Sequence, residues 1–305
     1  MTLTVVILTK DEEIHIGRAI GSVASVADRI VVVDSGSSDE TTSIARELGA
    51  RVLVHPFVTQ AKQFNWALEQ LPSDTDWVFR LDADEIVSPE LASSLATVLP
   101  QLGEEVAGVE VLRRMAFLGR PIRWGGVFPL PIVRVLRHGR GRSEDRWMDE
   151  HIVVDGTLSR IEGELLDDNL KPLGWWIEKH NAYASREVVE ILDAEFGFLE
   201  RDLRGGQHGH NTGVKRWLKE GLYGRLPSGI RSFAYFLYRY LFRFGFLDGR
   251  EGTAFHVLQG FWYRFLVDAK LLEVRKRMQR DGLDPLTAVD QVLDIRLVKD
   301  GPDRT

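Results

Sequence analysis

The sharpest chemistry in the sequence is the run Asp82-Ala83-Asp84-Glu85, directly after the apolar stretch WVFRL (77–81). Two carboxylates at i and i+2 beyond a strand end can face one cleft. Mg²⁺ or Mn²⁺ takes hard oxygen ligands, commonly one or two carboxylates completed by substrate phosphates. A divalent cation held by Asp82 and Asp84 would neutralise a diphosphate as it departs. The same run also suits an acidic helix start ahead of Ser88-Pro89-Glu90, and a lone DxD is a weak signal. A second group closes VVVDSGSSDET (31–41), where Asp34 ends a strand and can accept hydrogen bonds from a base or a ribose. Ser37, Ser38 and Asp39 equally suit turn and cap chemistry. Arg134, Arg137, Arg140 and Arg142 suit either an anionic ligand or a solvated basic face.

The elements that must position these groups alternate in type. LTVVILT (3–9), RIVVV (29–33), RVLVH (51–55) and WVFRL (77–81) read as strands buried on both faces of a parallel sheet. Helical stretches fall between them at 14–26, 39–48 and 60–70. The second begins with a capping-box pattern, Ser37 with Glu40, and Gly49 stands where a helix C-cap glycine belongs. Strand–helix alternation with short connections predicts an α/β fold with a doubly wound, mostly parallel sheet flanked by helices. Such sheets bind ligands at the carboxyl ends of their strands, which directs attention to 9–12, 34–39 and 82–85. The expected organisation is an α/β half at 1–100, a less regular half of the same domain at 101–220 and an amphipathic helical extension at 221–305.

Composition excludes several classes. With 44% apolar and 28% charged residues the chain is globular, and the lack of cysteine removes disulfides, thiolate metal sites and a cysteine nucleophile. The opening MTLTVVILTKDEE reads as a buried strand rather than a leader, and no stretch has the roughly 18–20 apolar residues that span a bilayer. Charge is divided: residues 1–100 carry 7 Lys/Arg against 15 Asp/Glu, and residues 201–280 carry 16 against 6. The acidic front suits a metal site and the basic rear an anionic surface or substrate. No nucleic-acid motif accompanies the basic charge, so nucleic acid is not an expected partner.

The blocks ILTKDEE (7–13), VVVDSGSSDETTSIARELGARV (31–52), QAKQFNWAL (60–68) and WVFRLDADEIVSPEL (77–91), in this order and spacing, resemble glycosyltransferase family 2. More narrowly, with GFLDG at 245–249, the chain is similar to the lipopolysaccharide-core glucosyltransferase branch. The resemblance covers about the first 100 residues and implies a GT-A fold and an inverting, metal-dependent transfer of a hexose. The donor it implies is a nucleotide-diphosphate sugar, UDP-linked, and the acceptor a glycan or lipid-linked hydroxyl in lipopolysaccharide or exopolysaccharide synthesis. By position, Thr9 and Glu12 would lie near base and ribose, Asp34 would read the base, and Lys62 or Gln63 and Asn65 would lie near the donor. Asp82 would contact ribose and metal, and Asp84 would be the direct metal ligand. Lys10-Asp11 stands where many relatives carry Asn. An inverting displacement needs a base for the acceptor hydroxyl. WMDEH (147–151) offers Asp149 or Glu150, Glu150 being preferred, where relatives often carry a His-Glu pair.

The stretch 228–247, SGIRSFAYFLYRYLFRFGFL, places Ser228, Ser232, Tyr235, Arg239 and Arg243 on one helical face and aromatic or aliphatic residues over most of the rest. That pattern, repeated around Arg264, suits a helix in a membrane interface, so 228–270 is expected to meet a membrane surface. Packing on the core or a dimer interface would use the same face. A cytoplasmic protein, peripheral on the inner face of the cytoplasmic membrane, follows. Competing readings are a non-catalytic nucleotide-sugar-binding protein and a nucleotidyltransferase, though TKDEE lacks the glycine-rich basic loop of the latter. A dehydrogenase is disfavoured because no GxGxxG follows the first strand.

Overall fold

The computed structural model describes residues 1–144, 151–198 and 229–296. The chain forms two compact units, Met1–Leu170 with Phe244–Gly252, and Lys171–Arg243 with Thr253–Thr305.

In the first unit the β-branched runs become strands and the stretches between them helices. They are β1 (Leu3–Thr9), α1 (Ile16–Val23), β2 (Arg29–Asp34), α2 (Thr41–Glu47), β3 (Arg51–Val54), α3 (Gln60–Glu69) and β4 (Trp77–Asp82). Helix α1 is amphipathic, with Ile16, Ala19, Ile20 and Val23 buried at helical spacing against the sheet. β3, β2, β1 and β4 lie in that order and are all parallel. The chain therefore winds outward from β1 to β3 and returns to the other side of β1, and the doubly wound expectation holds. Beyond β4 come β5 (Glu85–Val87), α4 (Pro89–Val98), β6 (Val106–Phe117), β7 (Arg120–Pro121), β8 (Leu130–Arg137) and β11 (Thr157–Asp167). Here the sheet turns mixed: β8 is antiparallel to β4 and β6, β11 is parallel to β6, and β5 is antiparallel to β11. β9 (Gly141–Ser143) and β10 (Ile152–Val154) pair separately as an antiparallel ribbon.

One core lies between α1, α4 and the sheet, built on Leu3, Val5, Ile7, Trp77, Phe79 and Leu81. The opposite face of the same strands, Val6, Val31, Val33 and Val78, packs on Phe64 and Ala67 of α3. Burial on both faces explains why these strands read as unbroken apolar runs. Gly163 in β11 lets the strand touch α4, since a Cβ there would meet the Leu91 backbone nitrogen at 2.2 Å.

The capping box at Ser37 does not form. α2 starts at Thr41, and the Ser37 hydroxyl is drawn to Asp34 and to the Asp11 amide. Asp39 takes over, accepting from the Thr41 amide at 3.0 Å. Gly49 follows α2 in the left-handed region at φ +84°, as a C-terminal glycine should.

In the second unit α5 (Leu173–Phe196) precedes α6 (Ile230–Leu237), continued by a π-turn over Tyr238–Phe242. After α7 (Gly249–Phe255), which the two units share, a second π-turn (His256–Trp262) leads into α8 (Tyr263–Asp281), followed by α9 (Pro285–Leu293). Val188, Val189 and Leu192 of α5 pack with Val267, Leu271 and Val274 of α8 and with Ala288 and Val289 of α9. Among the described residues no helix is long and apolar enough to cross a membrane.

Candidate active site

The strand register brings three chemical groups to one edge. Thr9 is level with Asp34 across β1–β2, and Leu8 is level with Asp82 across β1–β4. This is where the winding direction reverses, the position at which open α/β sheets bind ligands.

The two loops leaving β1 and β2 are stitched together. The Asp11 amide donates to Ser37 Oγ at 2.8 Å, the Glu12 amide to Thr41 Oγ1 at 2.7 Å, and the Glu13 amide to Asp39 Oδ2 at 3.1 Å. In return the Ser38 amide donates to Asp11 Oδ1 at 2.7 Å and the Glu40 amide to Glu13 Oε2 at 3.1 Å. The bond from the Ser38 amide is the main reason the Asp11 carboxyl lies below its usual range. Asp34, 2% exposed, accepts from the amides of Gly36 and Ser37 at 2.8 and 2.9 Å and from the hydroxyls of Thr9 and Ser37 at 3.3 and 2.5 Å. Those four bonds match the acceptor capacity of a carboxylate, so Asp34 shapes the loop that follows it. Glu12 holds His15 Nδ1 at 2.5 Å, and His15 Nε2 accepts from the Leu170 amide at 2.8 Å.

On α3, Lys62 is exposed near the helix start, one turn after the Thr59 cap. Gln63 is buried, donating to Ser35 Oγ and the His55 carbonyl, both at 3.1 Å, with its Oε1 2.7 Å from His55 Nδ1. Asn65 makes a two-way bond with the Ser143 backbone, at 2.9 and 2.8 Å. Gln63 thus braces the β2 and β3 loops, and Asn65 roots β9. Ser143 is level with Ile152 in the β9–β10 ribbon, so Asn65 anchors the strand that leads to 145–150. Asp149 and Glu150 lie outside the described residues.

At the end of β4, Arg134 of β8 is buried and donates through Nη2 to Asp82 Oδ2 at 2.8 Å and Glu85 Oε1 at 2.5 Å. Arg80 Nε lies 3.8 Å from Asp82 Oδ1. Burial alone would raise the Asp82 carboxyl, but Arg134 and Arg80 outweigh it and hold Asp82 well below the usual range. Glu85, 1% exposed, is pushed up to about 8, chiefly by burial and only partly offset by Arg134. Asp82 is thus held as an anion, while burial favours the protonated form of Glu85. Asp84 stands in the turn between β4 and β5. Asn169 Nδ2 donates to its Oδ2 at 2.8 Å, and the Asp168 amide to its carbonyl at 3.0 Å.

The basic quartet on and after β8 is largely committed to the protein. Besides Arg134, Arg137 donates to the carbonyls of Leu102, Gly103 and Val106 and lies over the Trp77 ring at 4.4 Å. Arg140 donates to the carbonyls of Glu104 and Asp155. These bonds tie the two side chains to backbone carbonyls around the start of β6 and between β10 and β11, which is a structural use of their charge.

The sequence pattern pointed to neither Arg80 nor Asn169, and gave Glu85 no role of its own. Arg80 was detectable as the one charged residue within a doubly buried strand. Asn169 had no local signal, being 85 positions from its partner.

Residues 4–123 match the family model described as Glycosyl transferase family 2. Protein relatives named as uncharacterized glycosyltransferases are 43% identical over 89 residues in Rickettsia typhi and 44% over 89 in Rickettsia felis, 29% of this chain in each case. The chain spans about a third of the length of these curated relatives. A TPR repeat-containing protein of Synechococcus elongatus is 28% identical over 268 residues, covering 80% of this chain and 61% of its own. Among solved structures, glucosyl-3-phosphoglycerate synthase of Mycobacterium tuberculosis, in complex with Mn²⁺, UDP and glucosyl-3-phosphoglycerate, is 28% identical. That similarity covers 37% of this chain and 44% of the synthase, with a TM-score of 0.31. The matched segment contains β1 to β4 and the turn that carries Asp84.

Proposed function

We propose that the protein is an inverting, metal-dependent glycosyltransferase that moves a hexose from a nucleotide-diphosphate sugar, UDP-linked, to a hydroxyl of a glycan or lipid-linked acceptor in cell-envelope polysaccharide synthesis. The observation that carries this reading is the meeting of Thr9, Asp34 and Asp82 at the sheet's reversal point, with Asp84 in the next turn, inside a family 2 segment. The names of the Rickettsia relatives support the same class of reaction.

The residues present fit a divalent cation. Asn169 holds one oxygen of Asp84, and the carboxylate is only half-buried, so its second oxygen suits a hard ion whose other ligands are phosphates and water. Asp82, with two guanidinium groups beside it, is the poorer ligand and the better acceptor for a ribose hydroxyl. Such an ion, Mg²⁺ or Mn²⁺, would stabilise the charge of the departing nucleoside diphosphate. In the stitched loops Thr9, Glu12 and Asp34 fix the backbone that meets base and ribose, and Lys62 lies on the diphosphate side.

Transfer inverts the anomeric carbon. The acceptor oxygen bonds to it as its bond to the diphosphate oxygen breaks, and the acceptor proton passes to Glu150 or, as the alternative, Asp149. A place at the inner face of the cytoplasmic membrane belongs to the same reading, because an acceptor carried on lipid is met there.

Calorimetry with Mn²⁺ and a panel of nucleoside diphosphates and their sugars tests the donor assignment. UDP and a UDP-hexose are expected to bind tightest, and chelation is expected to abolish or strongly weaken binding. No binding by any member of the panel would retract the proposal.

A further inference from the structure

Helix α6 and the π-turn that continues it are built inside out. A helix on the surface of a globular protein ordinarily turns its apolar stripe inward and its charges outward. Here Ser232 and Arg239, seven positions apart and so on one face, are buried. Arg231 donates to both oxygens of Asp268 on α8, and Ser232 Oγ adds a bond to the same carboxylate at 3.3 Å. Arg239 lies over the rings of Tyr235 and Phe255 at 5.6 and 5.8 Å. The polar face is therefore the side that fastens the helix to its own unit.

The outward stripe is Ile230, Phe233, Ala234, Tyr238, Leu241 and Phe242, all exposed, with Phe242 at 72%. Phe265 of α8 is exposed beside them and stacks on Phe261, which meets Phe233 edge-on at 6.1 Å. The sequence pattern sets the arginines on the face opposite the apolar one, and the structure turns Ser232 and Arg239 of that face inward. The periodicity was legible, but the partner Asp268, 37 residues away, was not.

Charge decides what covers the stripe. Residues 229–280 carry 10 Lys/Arg against 4 Asp/Glu, and exposed Arg243 follows Phe242 directly. A second copy seated on this face would set one strongly basic segment against another. An anionic phospholipid surface matches both properties, its headgroups meeting arginine and its acyl boundary meeting the aromatic stripe. We propose that Ile230–Phe242, with Phe265 beside it, lies in the headgroup boundary of an anionic membrane, apolar face down. The inference deepens the membrane part of the proposed function and rests on it. It names the lipid charge and the face that touches it.

Flotation of the full chain with vesicles tests this, using phosphatidylcholine alone and phosphatidylcholine mixed with phosphatidylglycerol. Binding is expected only to the anionic vesicles, to weaken as salt is raised, and to fall about ten-fold or more when Phe233, Leu241 and Phe242 are all changed to Ser. Arg243→Glu is expected to lower binding further at low salt. Unchanged melting temperature and helicity show that the triple variant is folded; if it is not, Phe242→Ser alone, at the most exposed position, carries the test. Equal flotation of wild type and variant would overturn the proposal. So would absence of vesicle binding, or a wild-type dimer that the triple substitution converts to monomer without any vesicle binding. Donor calorimetry on the same preparations keeps the two readings apart. Flotation without nucleotide-sugar binding would retract the donor assignment and leave the membrane face standing.

Discussion

Two of the buried ion-pair clusters among the described residues are put to opposite uses. At the end of β4, Arg134 joins Asp82 and Glu85 at the mouth of an apolar sheet, and Asp82 stays 27% exposed. In the helical unit, Arg231, Ser232 and Asp268 lie between α6 and α8 and spend their bonds on holding one helix to the other. Both clusters bear the desolvation cost of charge. The first leaves polar oxygen open toward a ligand, whereas the second frees an apolar face. A buried charge by itself therefore does not mark a site; what its surroundings leave accessible does.

The comparison breaks most visibly at Asp84. Asp84→Ala is expected to reduce divalent-dependent turnover by about a thousand-fold, as loss of a group that stabilises transition-state charge does, with the circular dichroism spectrum unchanged. Near-normal turnover in excess chelator would remove the metal from the reaction. Next come the arginines. Arg134→Met leaves two carboxylates facing each other without their cation, and urea unfolding is expected to show a loss of about 3–5 kcal/mol. Arg231→Met, from a position 25% exposed, is expected to cost less, about 1–3 kcal/mol. Equal losses would mean that the two clusters bury their charge alike.

The smallest effect is on pH. Glu85 has an ordinary value of 4.5 and is raised to about 8 in the folded protein. Between those values the unfolded chain is ionised while the native state keeps its proton, so stability falls as pH rises through that window. Asp82 acts in the opposite sense: its folded value lies below the ordinary 3.8, and its contribution is lost only as pH drops below that range. Glu85→Gln is expected to flatten the decline in melting temperature between about pH 5 and pH 8. Parallel profiles for wild type and variant would assign the decline to other groups.

The front half of the sheet was legible because each strand is buried on both faces and reads as an unbroken run, so β1 to β4 and their carboxyl ends followed from local pattern. The back half was not. β6 carries Glu110, Arg113 and Arg114 among its apolar residues, and β11 is interrupted by three acids and an arginine, so neither has the periodicity of a buried strand. Their pairing is decided by partners 50 residues apart, such as Arg160 with Glu110. At the site, several side-chain environments were not readable from the sequence. Asp34, Gln63 and Asn65 each turned out to hold neighbouring backbone or side chains, because no local signal shows which loop will fold back onto a polar group.

The cross-stitching between the loops after β1 and β2 has a consequence for anyone altering donor preference. Asp11 with Ser38, Glu12 with Thr41, and Glu13 with Asp39 and Glu40 are bonded pairs drawn from two separate stretches of sequence. Substitutions within such pairs do not add. A library that varies one loop while the other stays native samples mostly broken stitches. Productive variants will instead be found as matched doubles, with 10–13 and 36–41 randomised together as one heritable unit.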